Sequence, residues 1–192
     1  MAHLPTEQIS ERVAALEQAP TNDGTVSAIL IRPDTDVREV VDSLHVVPGE
    51  GIVGDNYIAR GNGKTPDGKA HPEAQICMMN LHILSVLSDG DAELWPLAGD
   101  QLLVDFDISE TNIPAGTRMT IGSAVLEVAN KPHNGCAKFA QRFGMDAARW
   151  VNSDPVQHYR GINVMVVAEG DIAVGDRITK LDESGNGSFP PA

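Results

Sequence analysis

Cys136 stands in the stretch Lys131-Pro132-His133-Asn134-Gly135-Cys136-Ala137-Lys138-Phe139, directly after a turn-forming Asn-Gly pair and before residues 137–143, which read as a short helix. A thiol in that position meets unpaired backbone N–H groups and the partial positive charge of a helix start, and both favour the thiolate. His133, Lys131 and Lys138 push the same way if folding brings them close. Cys136 is therefore the leading candidate for a nucleophile or a sulfur ligand, against the plainer reading of a structural thiol at a loop end. The other cysteine, Cys77, lies between Ile76 and Met78 in an apolar run and reads as a small core residue.

A zinc-type ligand set drawn from His71, His133, His158 and Cys136 is the alternative chemistry, although no two of these histidines have a recognised ligand spacing. A serine hydrolase finds no support, because the Gly-x-Ser-x-Gly nucleophile pattern is absent. Asp107-Ile108-Ser109-Glu110-Thr111-Asn112 is a polar interruption between two strands. It reads either as a solvated connection held by local side-chain bonds or as a wall of a ligand cleft carrying Glu110 and Asn112. Most of Arg60, Lys64, Lys131, Lys138, Arg142 and Arg160 read as surface charges. Arg160, between Tyr159 and Gly161 at the mouth of an apolar strand, is placed to reach a phosphate or carboxylate.

The elements that must position these groups follow from periodicity and punctuation. Residues 6–18 carry Ile9, Val13 and Leu16 at helical spacing, which predicts an amphipathic helix standing as an N-terminal appendage over residues 1–23. Strands are expected at residues 25–31, at 37–41 or 44–47, and at 74–79, followed by a helix capped by Asn80 and running to Leu87. Residues 48–55 hold three glycines and imply tight turns, without the pattern of a phosphate loop. Residues 60–71 read as a long exposed loop. Short strands at 101–106, 118–121, 124–129, 161–168 and 177–181, separated by turn residues, are the signal of a barrel or sandwich over residues 24–181. Residues 145–151 read as a short helix, and residues 182–192, rich in Gly, Ser and Pro, as a disordered tail.

Acidic residues outnumber basic ones 27 to 14, a formal charge of -13, which argues against a nucleic-acid or anionic-membrane surface and requires a local basic pocket for any anionic ligand. No apolar run approaches a membrane span and no leader is apparent, so a cytoplasmic protein with reduced thiols is expected.

The ordered set Gly51-Ile52-Val53-Gly54-Asp55, Gln75 at a strand start, Ala98-Gly99-Asp100-Gln101-Leu102, Ile108 to Pro114, Gly116 through Gly122, the Cys136 stretch, Arg160-Gly161 and Gly170 to Asp176 resembles MOSC domains, named for the C-terminal domain of molybdenum cofactor sulfurases. The resemblance implies a mainly β fold with a few helices, a strongly bent sheet forming a closed or partly open barrel. It also implies that Cys136 carries sulfur as a persulfide or ligates the molybdenum of a pyranopterin cofactor. Arg160, Lys138 and Arg142 would then hold the cofactor's anionic groups, Glu110 and Asn112 its polar edge, with His133, Gly54 and Asp55 beside it. In larger relatives a pyridoxal-phosphate cysteine desulfurase domain supplies the sulfur. The chain read here leaves no room for one, so a separate desulfurase is the expected donor and a molybdoenzyme or cofactor the expected acceptor. The resemblance also admits a molybdenum-dependent reductase of N-hydroxylated compounds, and the residues admit a non-catalytic barrel that binds a small ligand. The glycine motif ends Gly54-Asp55-Asn56-Tyr57, where many relatives place a basic residue or histidine after the aspartate.

Overall fold

The computed structural model describes residues 3–61 and 65–181. The tail expected to be disordered and Lys64 lie outside the described residues.

Seven strands close into a barrel. They are β1 (Gly24–Ile31), β5 (Ile76–Asn80), β6 (Leu102–Asp105), β7 (Arg118–Ile121), β8 (Ala124–Val128), β9 (Ile162–Ala168) and β11 (Arg177–Lys180). Their order is β11-β7-β8-β9-β5-β6-β1, and antiparallel pairing of Gly24 with Ile178 and Thr25 with Arg177 shuts the ring. β1 is long enough to serve three neighbours: beyond the closure its far end pairs with β2 (Glu39–Val41). Both segments offered as alternatives for the second strand are strands, because β3 (Ser43–Val47) follows at once and forms a separate small sheet, β10-β3-β4, with β10 (Gly170–Ala173) and β4 (Gly51–Ile52). Register shifts at Val26/Ala28 and Val125/Leu126 bend the strands where closure demands it.

Among the described residues only β5 and β6 run parallel, and that geometry needs a crossover. α3 (Leu81–Leu87) and a 3-10 helix (Ala92–Ala98) supply it. Asn80 caps α3 by accepting a bond from the Ile83 N–H at 3.2 Å, as its position before Leu81 predicts. The crossover covers the outer face of β5, so successive side chains go to two different cores. Met78, Leu102 and Val104 point into the barrel with Val26, Phe106, Leu126 and Val164. Met79 and Leu103 point outward, against the helices, with Leu84 and Phe139.

α4 (Ala137–Phe143) and α5 (Met145–Val151) also pack on that outer core, which explains why a barrel needs helices at all. α1 (Thr6–Ala14), read as an appendage, places Ile9 at zero exposure within the same cluster. One helical turn, α2 (Tyr57–Arg60), opens the stretch read as a loop.

Candidate functional site

Cys136 is the N-cap of α4 and is exposed, and residues 137–143 form the helix its context predicts. Partial burial works against ionisation. The N–H groups of Phe139 and Lys138 beside the sulfur and the charge of Arg160 outweigh it, although none completes a side-chain capping bond, and the thiol sits below the ordinary cysteine range.

The loop that presents this thiol is held from three directions. Asn163 on β9 donates through Nδ2 to the carbonyls of Lys131 (3.0 Å) and Pro132 (3.3 Å). Asn152, just after α5, accepts from the Gly135 N–H at 2.9 Å and donates to its carbonyl at 3.3 Å. His133 anchors through Nε2 to Asp100 Oδ1 at 3.0 Å. Gly135 fits closely under this clamp, since a Cβ there would come within 3.2 Å of the Asn152 and Val151 side chains.

Asp100 is the hinge of a buried chain of charges. Its second oxygen, Oδ2, accepts from Arg160 Nη1 at 2.6 Å, and neither side chain is more than 6% exposed. Arg160 Nη2 donates to the Ala98 carbonyl at 3.0 Å, and the guanidinium lies 4.7 Å above the Phe139 ring. Three of the predicted motifs, the Ala98 turn, the Cys136 stretch with His133 and Phe139, and Arg160-Gly161, therefore meet in one place. Gly161 makes this possible: at φ +100° it takes a left-handed backbone, and a Cβ there would sit 2.3 Å from the Met78 carbonyl oxygen.

Cys77 borders the same chain. Its sulfur does not face the barrel interior but lies 3.5 Å from Asn163 Oδ1, and beside His133 and Asp100. Burial opposes a charge on either partner, yet Cys77 and Asp100 together raise the His133 pKa to about 9, and His133 in turn lowers that of the Cys77 thiol. The reading of Cys77 as an inert core residue holds for its burial and fails for its surroundings, since its contacts lie 23 and 56 positions away and leave no local trace.

The remaining predicted residues divide. His133, Arg160 and Glu110 line one cavity of about 210 Å³ together with Lys131, Asn152 and His158, while Cys136 stands outside it. A larger cavity of about 790 Å³, between α1 and residues 107–111, is lined by His158 but by neither Cys136 nor the residues expected to hold a cofactor. Asn112 is not in a cleft. Its Nδ2 donates to the Asp107 carbonyl at 2.6 Å and its Oδ1 accepts from Lys180 at 2.8 Å, so the side chain is consumed in closing its own turn. Asp55 is likewise unavailable to a ligand, because its carboxylate, at zero exposure, takes two bonds from the Arg32 side chain at 3.0 Å each. Gly54 supplies a positive-φ turn beside it.

Lys138 and Arg142, four residues apart on α4, both approach the exposed Asp36, at 2.6 and 3.9 Å, and Arg142 Nη1 also donates to the Leu97 carbonyl at 2.7 Å. Arg38, unnoticed in the sequence, joins them. Burial first, then the charges of Arg142 and Arg32, hold its pKa below the ordinary arginine value, and its buried Nε has no partner among the described residues. Arg60 is depressed in the same way by burial and by Arg32. The helix that presents Cys136 thus carries a shelf of crowded cations on one flank, in a chain whose net charge is strongly negative.

A family model described as "MOSC domain" matches residues 68–179, more than half of the chain. Among solved structures, the YuaD protein of Bacillus subtilis superposes with a TM-score of 0.58 at 17% identity, covering 82% of this chain and 94% of that one. YiiM from Escherichia coli gives 0.55 at 19% identity over 83% of this chain and 70% of that one. YiiM from Geobacillus stearothermophilus gives 0.57 at 14% identity over 83% and 75%. Identities this low establish the shared fold. No curated protein matches the sequence significantly.

Proposed function

Because the chain belongs to the MOSC domain family, we propose that Cys136 is a sulfur-carrying thiol working beside a bound anionic cofactor of the molybdenum–pyranopterin class. The observation that carries this reading is the pairing of an exposed, acidified thiol at the start of α4 with the cation shelf on the same helix. The shelf fits a polyanion. Arg38 keeps an unpartnered Nε, and Arg38, Lys138 and Arg142 together face one acidic side chain, Asp36. When bound, such a cofactor supplies a molybdenum centre that accepts sulfur ligands.

In the carrier step the Cys136 thiolate attacks the outer sulfur of a donor persulfide. A new S–S bond forms at Cys136, the donor's S–S bond breaks, and the donor leaves as a thiolate. Arg160 and the helix start favour the attacking anion, and the Asn152 clamp keeps it directed outward. Incubation with a cysteine desulfurase and cysteine should add one sulfur atom by intact mass in the wild type and none in Cys136→Ser. Addition in the mutant would end the carrier reading. Protein made in a molybdenum-sufficient host should carry pterin fluorescence and lose it in Lys138→Glu/Arg142→Glu.

A further inference from the structure

We propose that Cys77, His133 and Asp100 form a second site, a buried binding site for a divalent cation of the zinc class. Among the described residues they are the one group of three in which a sulfur, a ring nitrogen and a carboxylate oxygen all lie within 4.8 Å of one another. The donors come from three separate elements: β5, the loop before α4, and the turn after the 3-10 helix. A tetrahedral centre with bonds of 2.0–2.3 Å sets its ligand atoms roughly 3.5 Å apart. His133 Nε2 and Asp100 Oδ1, at 3.0 Å, already stand near that spacing, and the Cys77 sulfur lies within 4.8 Å of a donor atom of each.

The donor set selects the ion. One thiolate, one imidazole and one carboxylate suit zinc or its close relatives better than calcium or magnesium, which require oxygen, or copper(I), which prefers sulfur. Thiolate and carboxylate together cancel the charge of a divalent ion, and binding displaces the protons held by Cys77 and His133. The outer shell is also built. Arg160 fixes the far oxygen of Asp100, and Asn163 brings a neutral carbonyl oxygen within 3.5 Å of the sulfur, where it can serve as a fourth donor. His133 forms part of the wall of the 210 Å³ cavity, which gives the ion its route in. Because His133 belongs to the Cys136 loop, the ion would staple that loop to β5.

The test uses the full chain, reduced and freed of metal by a chelator, titrated with Co²⁺. One equivalent should bring up a thiolate-to-cobalt charge-transfer band and the visible bands of a tetrahedral centre, both erased by Zn²⁺. Cys136→Ser should keep the bands. Cys77→Ser and His133→Gln should lose them, with circular dichroism checking that each is folded; the glutamine retains a donor for Asp100, so at least one variant should remain native. No band in the wild type overturns the proposal. So does a band that survives in folded Cys77→Ser or His133→Gln, or that disappears in Cys136→Ser and thereby reports the exposed thiol.

Discussion

At the scale of single residues, Cys136 follows what its neighbours in sequence suggest, and Cys77 departs from it in its polar surroundings alone. Cys136 is exposed and acidified at a helix start, so its alkylation rate should rise with pH to a midpoint below the ordinary 9.0 of a thiol. Cys77, 8% exposed, should react far more slowly with a bulky reagent. Peptide mapping after timed alkylation across pH distinguishes the two, and a Cys136 midpoint at 9.0 or above would contradict the helix-start argument. Arg160 invites a second measurement. Removing its charge in Arg160→Met strips the Asp100 carboxylate, at zero exposure, of its arginine and leaves the ion pair with His133. Breaking a buried pair in this way costs about 3–5 kcal/mol. Arg12→Ala removes an exposed pair with Asp89 and should cost no more than about 1 kcal/mol. Denaturant unfolding of the two variants should separate them clearly, and equal losses would show that Asp100 finds other compensation.

At the scale of elements, local signals were legible and long-range ones were not. Helix α4 was readable because Asn134-Gly135 breaks the chain immediately before it, and α3 because Asn80 is a capping residue followed by apolar spacing. The 3-10 crossover was not read, since Pro96 sits inside it and disrupts helical periodicity. Nothing local marks Asn152 either, although it reaches back 17 positions to hold both backbone groups of Gly135. The resemblance puts Asn112 and Asp55 among the cofactor contacts, and nothing beside them in the sequence shows that each is bonded to a cation within the fold. Their partners, Lys180 and Arg32, are 68 and 23 positions away. The Asn152 clamp yields a prediction at this scale. Asn152→Ala leaves the exposed Gly135 N–H and carbonyl to water, at a cost of about 0.5–1.5 kcal/mol. By loosening the start of α4 it should also return the Cys136 midpoint toward 9.0. An unchanged midpoint in a folded Asn152→Ala protein would mean that the helix itself, rather than the clamp, sets the thiol.

For the whole molecule, the barrel was legible as a class from the run of short strands. Its closure was not, because Gly24 and Thr25 meet Ile178 and Arg177 across nearly the full length of the chain. The same holds for charge. Composition gives only the total of -13, whereas folding gathers Arg38, Lys138 and Arg142 around the single carboxylate of Asp36. Coulomb interactions between exposed groups fade beyond about 8 Å at physiological ionic strength, so an anion at the shelf responds to these near cations more than to the distant negative surface. Two consequences follow for a simple polyanion such as tripolyphosphate. Its binding, followed by calorimetry, should weaken several-fold as salt rises from about 0.05 to 0.5 M. It should also persist in Cys136→Ser and vanish in Lys138→Glu/Arg142→Glu. Binding that ignores both salt and the charge reversal would place the anion elsewhere and remove the cofactor reading from this flank of α4, while leaving the sulfur chemistry of Cys136 to be judged on its own mass measurement.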